Sequence, residues 1–415
     1  MSTQDYSAAD ETLPEHLPAS AKLLYRVLSN IDTGVLTFTS PEGNTTTFRG
    51  AHDGPHADLR FADWDVAKQV LKSAEIGLAE CYRDHRLSTS NLTAFLTLCA
   101  LNQQALEKVF YGKPLVALFF RIKHLLRGNT RGGSRKNISA HYDLSNDFYQ
   151  LWLDRTMTYS SAVFAGDHNL PLGVAQTAKY ERILHSLDPQ SGETILEVGC
   201  GWGGFAEHAV KTRGVKVHGI TLSREQLAFA KARIAAAGIA HKASFEFIDY
   251  RDVTTQYDHV VSIEMFEAVG ERFWPTYFKA VHDRLKPGGR AVVQAITIDE
   301  AAFPRYRATS DFIREYIFPG GMLAPVNRFV SDAINAGLEA GEPYMFGKDY
   351  AETLRHWLKS VNAQAEKIKS LGFDEKFLQI WRFYLCYCEA GFEAGRTDVM
   401  QIMLKRAKHK RLGSV

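Results

Sequence analysis

The sequence predicts an α/β protein: a doubly wound, mostly parallel sheet preceded by a small α+β domain. Three observations carry that reading. From Thr194 to Ile298 short apolar runs alternate with stretches of helical period, and helices that return the chain to a parallel neighbour are the compact way to build such an alternation. A glycine cluster, Gly199-Cys200-Gly201-Trp202-Gly203-Gly204, stands where the first of these strands gives way to its helix. The length of 415 residues exceeds what one core usually serves, so more than one unit is expected.

Taken in order, residues 1–18 are polar and acidic, carry Pro14 and Pro18, and are expected to be a disordered end. Residues 19–127 form the α+β domain. Within it Val35–Thr39 and Thr45–Phe48 flank the turn signal Ser40-Pro41-Glu42-Gly43-Asn44, which predicts a hairpin. Apolar positions then recur at helical spacing over 67–82 and 92–110. Residues 128–137 are glycine-rich and polar, and read as a linker.

The larger domain, 138–415, follows. Strands are expected at Thr194–Val198, Lys216–Ile220, Phe245–Ile248, His259–Ile263 and Ala291–Ile298, the last after a turn at Lys286-Pro287-Gly288-Gly289. Helices are expected at Gly203–Thr212, Arg224–Ala237 and Phe273–Leu285, and the last hundred residues read as mostly helical.

Composition narrows the function. A formal charge of +2 argues against a nucleic-acid backbone as the main partner, because such proteins carry a large basic excess. Five scattered cysteines make neither a disulfide framework nor a zinc site, and no metal is expected. No basic and apolar leader opens the chain, and no run of about 18 apolar residues occurs. A cytoplasmic protein lying on the inner face of a membrane is the expectation.

The glycine loop is spaced G-x-G-x-G, follows the acidic Glu197, and lacks the Lys-Ser/Thr of a phosphate loop. Glycines at that position let backbone approach a ligand and open a helix whose N–H groups are free. With the later Lys286–Gly289 turn, the arrangement resembles a Rossmann-like class I S-adenosylmethionine-dependent methyltransferase.

Longer strings narrow the resemblance. Ile138–Tyr149 (ISAHYDLSNDFY), Met157–Ala162 (MTYSSA), Gly219–Gln226 (GITLSREQ), Ser262–Gly270 (SIEMFEAVG) and Tyr316–Gly321 (YIFPGG) are similar to the cyclopropane-fatty-acyl-phospholipid synthases, with a weaker match at Gly77–Tyr82. The resemblance implies methyl transfer from S-adenosylmethionine to the cis double bond of an unsaturated acyl chain in a phospholipid. It implies cofactor contacts at Tyr159, Ser160, Gly199, Gly201, Thr221, Leu222 and Gln226, with Asp249, Tyr250 and Arg251 near the adenine.

Attack of an alkene on the sulfonium methyl leaves a carbocation, which aromatic faces stabilise. Tyr142, Phe148, Phe266, Tyr316 and Phe318 lie in the matched strings and are the expected substrate-pocket rings. Ring closure then requires a base. In this family a bound bicarbonate, held by Cys, Glu, His and Tyr, serves as that base. Glu267 and Tyr350 match two of the four positions, whereas Ser161 stands in place of the Cys and Gln294 in place of the His. Both replacements donate hydrogen bonds but neither carries an imidazole. The outcome is either a cyclopropane or a methyl-branched unsaturated chain, and the replacements tilt the reading towards the branched product.

A lipid substrate also suits two basic stretches, Arg121–Lys136 behind the apolar Leu115–Phe120, and a tail from Val399 with Lys405, Arg406, Lys408, Lys410 and Arg411. Together they predict a phospholipid membrane surface as partner, no nucleic acid, and room for a homodimer through the first domain. The competing readings are a small-amine N-methyltransferase and a non-catalytic S-adenosylmethionine-binding module at a lipid surface.

Overall fold

The computed structural model describes residues 3–6, 17–107 and 144–408. The expected linker, the basic segment Arg121–Lys136 and Tyr142 lie outside the described residues. So do Lys410 and Arg411.

The N-terminal unit is a five-stranded sheet in the order β1-β3-β2-β4-β5, formed by β1 (Thr3–Tyr6), β2 (Thr33–Thr39), β3 (Thr45–Arg49), β4 (His52–Phe61) and β5 (Leu87–Ser88). The expected hairpin is β2 and β3, closed by Ser40 N–H on the Asn44 carbonyl at 2.8 Å, with Gly43 at φ 87°. Strand β1 corrects the reading of residues 1–18 as disordered throughout. It pairs in parallel with β3, Thr3 opposite Thr45, and satisfies edge N–H and C=O groups without needing apolar side chains. Strand β4 escaped the sequence because its first half is exposed, so alternation appears only from Ala57 onward.

Among the described residues four helices complete the unit: α1 (Ala19–Leu28), α2 (Asp65–Arg83), α3 (Leu92–Leu101) and α4 (Gln103–Glu107). Helix α2 is broken at Ala74, which adopts φ 46° and ψ −126°.

The larger unit holds an eight-stranded sheet whose main path is β11-β13-β10-β9-β6-β7-β8. Its parallel part comprises β6 (Thr194–Val198), β7 (Lys216–Thr221), β8 (Ala243–Phe247), β9 (Tyr257–Ile263) and β10 (Leu285–Ile298). Short helix α5 (Asn146–Gln150) and helix α6 (Leu172–Leu187) precede β6, and α7 (Gly204–Arg213), α8 (Arg224–Ala236) and α9 (Trp274–Arg284) fall between strands as expected. The predicted turn at Lys286–Gly289 lies inside β10, as an irregularity that shifts its register on β9 between Leu285 and Arg290.

After β10 come α10 (Phe303–Ala308), α11 (Val326–Asn335), β11 (Leu338–Ala340), β12 (Tyr344–Met345), α12 (Gly347–Ala363), α13 (Ala365–Ser370) and α14 (Glu375–Glu393). The chain then enters β13 (Thr397–Arg406), which runs antiparallel between β10 and β11 and also pairs β12. This corrects the reading of residues beyond Val399 as a basic tail. Val399, Met400, Ile402 and Leu404 are buried in the sheet, and the Arg406 guanidinium donates to the carbonyls of His282 (3.2 Å) and Leu285 (2.6 Å).

The two units share one core. Side chains of α1, α2, α3 and the first sheet join those of α5, α12 and α14 in a single apolar cluster. Phe383 of α14 lies 6.0 Å from Tyr82, ring to ring, and Thr93 Oγ1 donates to Glu389 at 2.9 Å. No helix among the described residues is long and apolar enough to cross a membrane.

Strand β6 pairs β7 on one side and β9 on the other, so the chain leaves β8 at one edge and returns at the opposite side of β6. That reversal opens a crevice beyond the carboxyl ends of β6 and β9, the position where open α/β sheets receive ligands.

Candidate active site

On the β6 side of the crevice, Gly199, Gly201 and Gly203 all have positive φ, at 82°, 50° and 80°. The Gly199 and Cys200 N–H groups tie the loop to the Ile220 carbonyl at 3.0 Å each. A Cβ on Gly203 would press against Ala230 and Phe245, at 3.1 and 3.2 Å, so that glycine serves packing. A Cβ on Gly201 would meet nothing within 4 Å, so that position borders open space.

Glu197, the last but one residue of β6, is 3% exposed, and its Oε2 is buried without a hydrogen-bond partner. Burial pushes its carboxyl well above the ordinary range. An orphaned buried acceptor beside an open glycine loop fits the cationic S-adenosylmethionine.

The other predicted cofactor residues surround the same sheet end with differing roles. Thr221 Oγ1 donates to Gln226 Oε1 at 2.9 Å and accepts from Ser223 N–H at 3.1 Å, which holds the start of α8 against β7. Leu222 is half-buried. Asp249 is ion-paired to Arg251 at 2.6 Å and accepts the Arg251 N–H at 3.0 Å, so these two residues brace one another. The Tyr250 ring packs edge-on against Tyr277 at 5.7 Å. Tyr159 shares a 2.7 Å hydrogen bond with the Tyr384 hydroxyl and lines the cavity described below. Ser160 Oγ accepts from Lys179 Nζ at 2.6 Å, and that lysine is wholly buried.

On the β9 side three of the four residues expected to hold an anion are arranged around a fifth. Glu264, the residue after β9, places its carboxylate where three of them converge. Its Oε1 accepts from the Ser161 N–H at 2.8 Å and from Gln294 Nε2 at 2.7 Å, and its Oε2 accepts from the Tyr350 hydroxyl at 2.6 Å. Gln294 is oriented in turn by Gln401 Nε2, 3.0 Å from its Oε1. The Ser161 hydroxyl turns away to the Ala162 carbonyl at 3.0 Å, so only its backbone contributes. The fourth, Glu267, stands apart from this group: its Oε1 accepts the Ile296 N–H at 2.5 Å and its Oε2 is buried without a partner.

The two carboxylates differ accordingly. Burial raises Glu264, opposed by Tyr350, by the nearby charge of Lys179, and by the Ser161 and Gln294 donors. Glu267 is raised to about 8 by burial and by its neighbour Glu264, with the backbone as its sole donor. Burial pushes the Lys179 ammonium down, and Glu264 works against that shift.

Both glutamates open onto a cavity of about 1160 Å³. Its walls come from both units: Leu36, Leu59, Phe61 and Leu98 of the first, Ile296, Phe318 and Leu354 of the second. Of the expected pocket rings, Phe318 lines this cavity. Three others do not. Phe148 is wholly buried among Tyr149, Trp152, Phe373, Phe377 and Trp381, and Phe266 among Trp274, Tyr277, Phe278 and Phe329. Tyr316 is 37% exposed and donates to Glu80 at 2.7 Å. An aromatic in a recognisable string is core, pocket or surface according to packing that the string does not contain. Glu264 and Lys179 were missed. The signal for Glu264 was a second carboxylate three residues before Glu267, directly at a strand end.

Sheet order, switch point and glycine loop define the class: an S-adenosylmethionine-dependent methyltransferase. Comparison with known proteins supplies the family. Residues 130–402 match the mycolic acid cyclopropane synthetase family, and the chain belongs to it. It is 37% identical over 401 residues to the tuberculostearic acid methyltransferase UfaA1 of Mycobacterium tuberculosis, covering 94% of this chain and 92% of the relative. It is 31% identical over 354 residues to the cyclopropane-fatty-acyl-phospholipid synthase of Escherichia coli, covering 84% and 88%. Among solved structures, mycolic acid cyclopropane synthase CmaA1, complexed with SAH and CTAB, superposes with a TM-score of 0.62 at 31% identity, covering 66% of this chain and 98% of that one. The chain is thus an S-adenosylmethionine-dependent enzyme of a lipid-modifying family.

Proposed function

We propose that the protein transfers the methyl group of S-adenosylmethionine to the cis double bond of an unsaturated acyl chain in a membrane phospholipid, and that the product is methyl-branched. The carrying observation is the cavity. At about 1160 Å³ with a largely aliphatic and aromatic wall, it exceeds the usual small-molecule site and suits a long apolar chain. It reaches Glu264 and Glu267 just beyond the carboxyl end of β9, and Tyr159, so a chain lying in it passes beside the two carboxyl groups.

In the reaction the π bond attacks the sulfonium methyl, a C–C bond forms as the S–CH₃ bond breaks, and S-adenosylhomocysteine leaves. The adjacent carbon becomes a cation in a site shielded from water, faced by the rings of Tyr159, Phe318 and Tyr350. Loss of a proton then ends the reaction. Replacement of the family's Cys and His by Ser161 and Gln294, together with the similarity to UfaA1, supports the branched outcome over ring closure. The basic composition of Arg121–Lys136 supports work at a membrane surface.

The test is incubation of the full chain with methyl-labelled S-adenosylmethionine and unsaturated phospholipid vesicles. Label is expected in the organic extract, and mass spectrometry after ozonolysis is expected to show cleavage of a retained double bond. Label confined to soluble amines, or to no product, overturns the reading. Products wholly resistant to ozonolysis overturn the unsaturated branched product.

A further inference from the structure

We propose that the Glu264 carboxylate is a built-in base occupying the seat that relatives fill with bicarbonate, so that this enzyme needs no external anion. The inference rests on the lipid methyl transfer proposed above and adds to it the group that removes the final proton.

The geometry is that of an anion site already filled. A carboxylate and a bicarbonate present the same pair of oxygens on a planar carbon. Here each carboxylate oxygen is engaged by groups at positions expected to hold the anion: Ser161 and Gln294 on one, Tyr350 on the other. The backbone that carries the side chain is tethered to the sheet, with the Glu264 N–H on the Gln294 backbone carbonyl at 2.8 Å.

Its backbone adds a second observation. Glu264 has φ 50°, in the left-handed region that disfavours every residue with a Cβ, yet it is a glutamate. A side chain retained at a strained position, and aimed at three converging donors, indicates that the carboxylate is what the position exists to hold. Gln294, in place of an imidazole, fits the same account: its amide donates to a fixed carboxylate and has no proton to exchange.

The step balances within the chain. After methyl transfer, Glu264 takes a proton from a carbon next to the cation. The C–H electron pair becomes the new double bond; if a cyclopropane forms, the proton comes instead from the transferred methyl, whose C–H pair becomes the third ring bond. The neutral acid returns its proton to water once product leaves.

The test compares the full-length protein with its Glu264→Gly and Glu264→Gln variants, using S-adenosylhomocysteine binding to verify the fold. Glycine suits a positive φ, so the first variant relieves backbone strain while emptying the seat. In the binding arm, ¹³C-bicarbonate signals are expected to broaden with Glu264→Gly and to be unaffected by the native protein. Equal broadening by the two proteins, or none by either, overturns the proposal. In the turnover arm, native protein on dioleoyl phosphatidylglycerol vesicles keeps its full rate in bicarbonate-free buffer. Glu264→Gly loses about 100-fold and regains about tenfold with added bicarbonate, while Glu264→Gln falls equally without rescue. A native rate that collapses without bicarbonate, or an undiminished Glu264→Gly rate, overturns it. Failure of the native protein to label any lipid defeats the proposed function instead, and the binding arm still decides the role of Glu264.

Discussion

Glu264 and Glu267, three residues apart at the end of β9, face the same cavity with opposite hydrogen bonding: three donors converge on the first, and one backbone N–H reaches the second. Burial raises both carboxyls, and the three donors on Glu264 favour the charged form there more than the single backbone donor does on Glu267.

For Glu267 the pH consequence has a definite sign. Its value is about 8 in the folded protein against 4.5 for the free side chain. The stabilisation from the bound proton is complete below the unfolded value and is lost as pH rises through the folded one. Glu267→Gln mimics the protonated acid and abolishes that slope. Urea unfolding of the two proteins should therefore show the native chain losing about 4 kcal/mol relative to the variant as pH rises between these values. At neutral pH the variant, which mimics the protonated acid, should fold, bind S-adenosylhomocysteine and keep lipid methylation within about threefold of the native rate. A fall of about 100-fold would give the Glu267 proton a part in the chemistry.

Tyr350→Phe deletes one donor to Glu264 and keeps the ring stacked on Phe392, whose centroid is 4.5 Å away. A hydrogen bond to a buried charge contributes about 1.5–3 kcal/mol, so kcat should drop about 10- to 100-fold with cofactor affinity unchanged. The lost donor also lifts the Glu264 carboxyl, which moves the acidic limb of the pH–rate profile to higher pH. A profile that keeps its acidic limb argues against this link.

Gly201→Ala separates cofactor binding from folding. No protein atom lies within 4 Å of the added Cβ, so the fold should lose only the roughly 1 kcal/mol of a positive φ. Calorimetric titration is expected to show S-adenosylhomocysteine affinity reduced by at least about tenfold, because the methyl occupies the open space the ligand uses. Unchanged affinity would place the cofactor elsewhere.

Cys99→Trp narrows the cavity from the first unit, where Cys99 lines its wall. Overpacking should cost about 1–3 kcal/mol in thermal unfolding. Turnover on vesicles with long unsaturated chains should fall more than on short-chain lipids of the same headgroup. Equal losses on both would mean that the acyl chain does not reach this wall.

Periodic apolar patterns made the parallel sheet, its helices and the glycine loop legible, because strand and helix periods are written in consecutive residues. Strand β13 was not legible: its buried Val399, Met400, Ile402 and Leu404 are followed by Lys405, Arg406 and Lys408, and charge dominated the reading. Strand β1 was hidden for the converse reason, since a backbone ladder at a sheet edge leaves little mark on side-chain type. Among the site residues, Ser161, Gln294 and Tyr350 could be matched by motif, but the object they hold could not.

By itself the sequence determined the class of fold, the cofactor loop and the set of polar groups at the chemistry, since each depends on local pattern or on residue type. The tertiary structure alone decided which carboxylate those groups serve, which rings face the cavity, and that the first unit supplies half its wall. Those are relations between residues up to hundreds of positions apart, as from Ser161 to Glu264 to Tyr350, and they come into being only when β9, β10 and α12 pack together.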